Sequence, residues 1–187
     1  MSLRAVQLTT LLGATVTMGL MAGVFGIYAN AIMRGLGRTD DRTFVGAFQS
    51  IDQAIINPLF MLTFLGALVL SAVAALSHRN GDAKAVVPWA ATAFVLYMCV
   101  FVITVAVHVP LNDGIKAAGI PSQIGDVSAV RSAVHETRWV AWNAVRAVLT
   151  SAAFGCLLWA LVLNGRGTAP ERHACSIPAG VGQRLAS

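Results

Sequence analysis

The sequence predicts an all-α integral membrane protein, a four-helix bundle whose second and fourth helices extend partly outside the membrane. Two observations lead there. The chain has 187 residues, 57% of them hydrophobic and only 11% charged, where a soluble domain carries about 25% charged residues; the mean hydropathy is +0.72. The charges are also excluded from four stretches: between Arg4 and Arg34, Asp52 and Arg79, Lys84 and Asp113, and Arg146 and Arg166. Each is close to or above the roughly 20 residues that cross about 30 Å of hydrocarbon. Only helices and closed barrels satisfy the backbone in lipid, and the alternation of barrel strands is absent. A disordered chain, a disulfide-rich secreted domain and an ordinary soluble enzyme are excluded.

The first span is expected at about 5–33, as an uncleaved helix, because its apolar run exceeds the 7–15 residues of a signal-peptide core. Its Gly19-Leu20-Met21-Ala22-Gly23 segment is a GxxxG pattern that permits close helix approach. Met18, Met21 and Met33 are expected in packing rather than as copper ligands. Before the second span, Phe44, Phe48, Ile51 and Ile55 share one helical face and Gln49, Gln53 and Asn57 another, an amphipathic helix. Pro58 then either starts a new helix or kinks this one, and the span runs over about 58–77. A polar turn from His78 to Lys84 follows. The third span, about 86–109, is expected to stop at Pro110, with a loop from Asn112 to Gly125. The fourth helix is expected from a cap at Asp126 or Ser128 to Leu163, crossing the membrane over about 143–164 with its first turns projecting. Residues 1–165 form the membrane domain and 166–187 a disordered polar tail.

The net charge is +5, but the basic residues are scattered, which suits headgroups rather than nucleic acid. Cys99, Cys156 and Cys175 form neither a disulfide framework nor a zinc motif. The basic residues divide six against seven between the two sides. Only the acids favour one side, and they place both termini in the cytoplasm of a bacterial plasma membrane.

An antiparallel bundle brings together the end of spans one and three and the start of spans two and four. That end carries Tyr28, Asn30, Gln49, Asp52, Gln53, Asn57, His108, Asn112, Asp113, His135, Glu136, Arg138, Trp139, Trp142, Asn143 and Arg146. Polar groups in lipid are expensive unless paired or facing a cavity, so a polar pocket is expected there. His135, Trp139, Trp142 and Arg146 fall on one helical face, with Arg146 deepest; Asp52, Asp113, Glu136 or a ligand oxygen could pair with it. Snorkelling to headgroups is the alternative for the arginine, and an interfacial belt for the tryptophans. His108 and His135 could act as a base near neutral pH, or with Glu136 or Asp113 hold a metal. No GxSxG, P-loop, dinucleotide or HExxH motif is present.

Asn57-Pro58, Val109-Pro110-Leu111-Asn112 and Arg138-Trp139…Trp142-Asn143…Arg146 together resemble the anthrone oxygenase family of small four-helix membrane proteins. The family pattern carries His after the Trp142-Asn143 pair, where this chain has Ala144. The resemblance implies an oxidoreductase that inserts oxygen from O2 into a polyphenolic anthrone, without a required cofactor. It implies His108 or His135 as base, with Arg146, Asn143 and Asn112 holding an oxyanion. Trp139 and Trp142 would stack on a hydrophobic aromatic substrate, with Asn57, Gln53 and Arg138 completing its site. The competing reading is a non-enzymatic membrane protein that binds a lipid, a quinone or a partner through the same polar cluster. The expected partners are the bilayer, the aromatic ligand and, on the same footing, a second copy of the chain.

Overall fold

A computed structural model describes residues 2–80 and 84–167. Among them every regular element is helical, and four helices are long and apolar enough to cross a membrane. Helix α1 spans Leu3–Leu36, α2 Asp41–Ile55, α3 Pro58–Ser77, α4 Val86–Ala117, α5 Val127–Ala133 and α6 Glu136–Gly167. In the bundle α1 packs between α3 and α6, and α4 closes the ring against the same two helices. The protein is an integral membrane protein, with α2 and α5 gathered at one end.

Inside the bundle many of the contacts are made by small and flexible side chains. Ala14, Met18 and Met21 of α1 meet Ala67 and Ala74 of α3, Ala90 and Ala93 of α4, and Ala153 and Ala160 of α6, all buried. Lipid tails are as apolar as these side chains, so close packing rather than water exclusion drives association. Gly19 belongs to this packing: a β-carbon there would lie 2.9 Å from the Phe154 ring, whereas one on Gly23 would meet nothing within 4 Å. The GxxxG pattern therefore works at one of its two glycines.

A second core forms at the end that carries α2 and α5. Phe44, Val45 and Phe48 of α2 pack with Met33, Ile115, Val127, Val134 and Trp139. Asp40 caps α2, accepting from the Thr43 amide at 3.0 Å and the Thr43 hydroxyl at 2.6 Å. Pro58 starts α3 rather than kinking α2, because Asn57 turns extended and accepts the Phe60 amide at 3.0 Å. Gln49 donates to the Ile115 and Gly119 carbonyls at 2.8 and 3.0 Å, satisfying groups that the end of α4 leaves open. Arg131 lies over the Phe44 ring at 4.4 Å and donates to the Thr39 and Gly37 carbonyls and to Asp41. Arg42 bonds the Pro121 carbonyl. These contacts fix α2 as a roof.

Two expectations are corrected. The third helix does not stop at Pro110 but continues to Ala117. A wide π turn at Thr104–His108 precedes the proline, and there the Val109 amide reaches the Thr104 carbonyl. That altered register gives the ring room it lacks in a regular helix. The fourth helix is also not continuous from Asp126. Asp126 caps only α5, accepting from the Ala129 amide at 2.9 Å. The chain then breaks at His135, whose φ is +48°, and α6 restarts with the Trp139 amide on the His135 carbonyl. The break lets α5 fold across α2. Helix α6 extends to Gly167, so the first two residues of the tail expected at 166–187 are helical; the rest of that tail and the turn residues 81–83 lie outside the described residues.

Gly19→Val should lower bundle stability by about 1–3 kcal/mol through overpacking against Phe154, and Gly23→Ala should not, as thermal unfolding in detergent will show. The Thr43 hydroxyl, followed by the Thr43 amide, holds the Asp40 carboxylate below its ordinary range. A lowered folded-state pKa adds stability above the unfolded value of about 3.9, and that stability disappears as pH falls through the folded value. Protection of the Thr43 amide from hydrogen exchange should therefore decline on the acid side in the wild type, and stay flat in Asp40→Asn, which caps without titrating.

Candidate functional site

Beneath the roof lies a cavity of about 490 Å³. Its walls are mostly aromatic and aliphatic: Phe25 from α1, Phe48 and Ile51 from α2, Phe60 and Phe64 from α3, Phe101 from α4 and Trp139 from α6. Six polar side chains join them: Tyr28, Asp52, Thr104, His108, Asn112 and Arg146. Ile56, Met61, Leu65, Val105 and Val109 line the cavity and are also exposed on the outer surface. All are apolar, so the mouth opens toward lipid beside α3 and α4.

Two wide turns aim the polar groups. Tyr28 opens the π turn Tyr28–Ile32 of α1, and Thr104 and His108 bound the π turn of α4. A π turn inserts one residue into a helix and re-aims the side chains around it, and such turns are frequent at functional sites.

Arg146 is 6% exposed. It donates from Nη1 to the Thr104 hydroxyl at 3.1 Å and from Nη2 to Asn143 Oδ1 at 2.9 Å. Asn143 is held in turn by donating to the Phe25 carbonyl at 3.2 Å. The guanidinium lies 4.5 Å from the Phe25 ring centre and 5.8 Å from that of Trp139, distances that allow cation–π attraction. Nε has no hydrogen-bond partner. Among the described residues no carboxylate lies within ion-pair distance of Arg146. Asp52 is paired with Lys116 at 2.6 Å and Glu136 with Arg131 at 3.3 Å, while Asp113 lies 4.0 Å from Lys116. The site therefore presents an uncompensated cation to its contents.

His108 is 2% exposed, and neither ring nitrogen makes a hydrogen bond of ordinary geometry. Its ring meets Trp139 edge to face at 5.0 Å. Trp139 also touches Tyr28 and Phe48 and is fixed by its Nε1, which donates to Asn112 Oδ1 at 2.9 Å. Asn112 then donates to Asp52 Oδ1 at 2.7 Å. The line Lys116–Asp52–Asn112–Trp139 thus joins the roof to the wall beside His108.

Of the residues expected in the site, His108, Arg146, Asn112 and Trp139 line the cavity, and Asn143 stands behind Arg146. His135 is exposed at the helix break, and Arg138 and Trp142 are exposed on α6. Asn57 is engaged as the cap of α3. Gln53 lines a separate polar groove with Ser50 and Lys116. His108 and His135 do not share a pocket. Among the described residues no group of three or more His, Cys, Asp or Glu side chains is placed to hold a metal ion. Sequence reasoning missed Thr104 and the phenylalanine walls. For Thr104 the only signal is a hydroxyl four residues before His108.

The model of the family described as anthrone oxygenase matches residues 49–156. The chain belongs to the anthrone oxygenase family. The span shared with the family begins in α2, ends in α6, and contains His108, Asn112, Trp139, Asn143 and Arg146. Curated proteins and solved structures give no match.

Asn143→Ala should destabilise the protein by about 1–3 kcal/mol, because it leaves an Arg146 donor unpaired in a buried setting. His108→Leu should be neutral or stabilising, since the imidazole nitrogens make no hydrogen bond of ordinary geometry and functional polar groups are commonly held at the expense of stability. Melting temperatures in detergent compare the two.

Proposed function

We propose that this family member is a membrane oxygenase that converts an anthrone-like substrate, a flat aromatic ketone with an acidic ring CH2, into the corresponding quinone. One observation carries the reading: a buried imidazole whose nitrogens make no hydrogen bond of ordinary geometry and a guanidinium with no carboxylate within ion-pair distance among the described residues line the same aromatic-walled cavity. Such a pair is suited to making a carbanion next to a carbonyl. A ring nitrogen of His108 takes a proton from the CH2 group. Arg146 stabilises the negative charge that moves onto the carbonyl oxygen. The electron-rich anion passes one electron to O2, and the two radicals combine to form a C–O bond. The proton held by His108 returns to the peroxide oxygen, and loss of water leaves a new carbonyl. One O2 is consumed per substrate, with one quinone and one water released.

The rest of the cavity supports the same reading. Phe25, Phe60, Phe64 and Trp139 offer flat surfaces for stacking. The lipid-facing mouth suits a substrate dissolved in the bilayer. The roof keeps bulk water from the anion, which strengthens the Arg146 interaction.

The test is oxygen uptake by the detergent-purified protein supplied with a hydroxylated anthrone, followed together with quinone absorbance. One O2 per quinone is expected. His108→Leu should lower kcat by about 10²–10⁴-fold while helical circular dichroism is unchanged, and Arg146→Lys should also lower it. Wild-type turnover in both variants overturns the mechanism; tight ligand binding without any turnover favours a binding protein instead.

A further inference from the structure

The proton transfer above leaves one buried charged group unused. Asp52 is 7% exposed and, among the described residues, is the only carboxylate that lines the cavity. Its Oδ1 accepts from Asn112 at 2.7 Å. Its Oδ2 faces Lys116 Nζ at 2.6 Å as an ion pair, yet makes no hydrogen bond of ordinary geometry. The Lys116 side chain is 31% exposed and so can keep contact with water, while the carboxylate is the inner member of the pair.

A carboxylate in apolar surroundings is costly unless its lone pairs are used. An acceptor of this kind, set among phenylalanines, recognises a ligand that brings a hydrogen-bond donor. On a flat apolar ligand that donor is a ring hydroxyl. Arg146 makes the opposite demand, since a guanidinium carries only donors and asks for an acceptor such as a carbonyl. The two groups stand on different helices, α2 and α6, so a ligand that satisfies both must carry hydroxyl and carbonyl on one rigid frame.

We propose that Asp52 is a substrate-binding residue that selects ring-hydroxylated ligands, with Lys116 and Asn112 as positioning residues. This rests on a flat aromatic molecule occupying the cavity, but not on its being turned over. The test is therefore binding. A monohydroxyanthraquinone with its hydroxyl at a ring position not adjacent to a carbonyl, so that its proton is free to be donated, and unsubstituted anthraquinone are titrated by calorimetry into the full-length protein in detergent. The wild type should prefer the hydroxylated ligand by about tenfold or more, the range expected of a hydrogen bond to a charged group. Asp52→Asn should lose most of that preference while binding the unsubstituted ligand as before. Asp113→Asn, an exposed acid outside the cavity, should keep it.

Equal affinity for both ligands in the wild type overturns the assignment. So does an Asp52→Asn protein that weakens both ligands alike, because that is the behaviour of a structural residue. A preserved preference in a protein that takes up no oxygen upholds Asp52 and removes the oxygenase reading.

Discussion

Arg146 is a full positive charge held inside a bundle of apolar helices with no carboxylate within ion-pair distance among the described residues. That constraint organises the site. A buried cation in such surroundings must be solvated by the protein, and three helices converge to do so. Helix α6 supplies Asn143, α4 supplies Thr104, and α1 supplies the Phe25 ring and the carbonyl that orients Asn143. All of these partners are electrically neutral. The charge is stabilised without being cancelled.

Two kinds of cohesion hold this arrangement in place. Within the membrane the helices pack through alanines and a glycine against Phe154, where hydrocarbon offers no hydrophobic drive. At the roofed end the second core gathers Phe44, Phe48, Met33 and Trp139, and here exclusion of water does contribute. Trp139 links the second core to the cavity. It seals the second core, forms a wall of the cavity and is tied by Asn112 to Asp52. The roof and this wall of the cavity are consequently one structure.

Much of the site was legible because the membrane makes polar residues conspicuous. His108, Asn112 and Arg146 stand out in or beside apolar runs, and each lines the cavity. The residues that fall outside it do so for local reasons. His135 was placed on the Arg146 face by assuming an unbroken helix, but the positive φ at His135 ends that helix one residue before α6 begins. Trp142 shares the helix with Arg146 but is turned outward to the surface, where it is 38% exposed. Asn57 is consumed by capping α3, and Gln53 faces a groove on the other side of α2.

The four spans, the amphipathic α2 and the polar end follow from the sequence alone, because hydrocarbon forbids exposed charge and unpaired backbone over a fixed thickness. Residue spacing could not reveal the two wide turns at Tyr28–Ile32 and Thr104–His108, since a π turn has no composition of its own and is stabilised by what surrounds it. The pairing of Asp52 with Lys116 rather than Arg146 was equally beyond reach. Which charges meet depends on how α2 lies across the ends of α4 and α6, and that is fixed by contacts between elements distant in the chain.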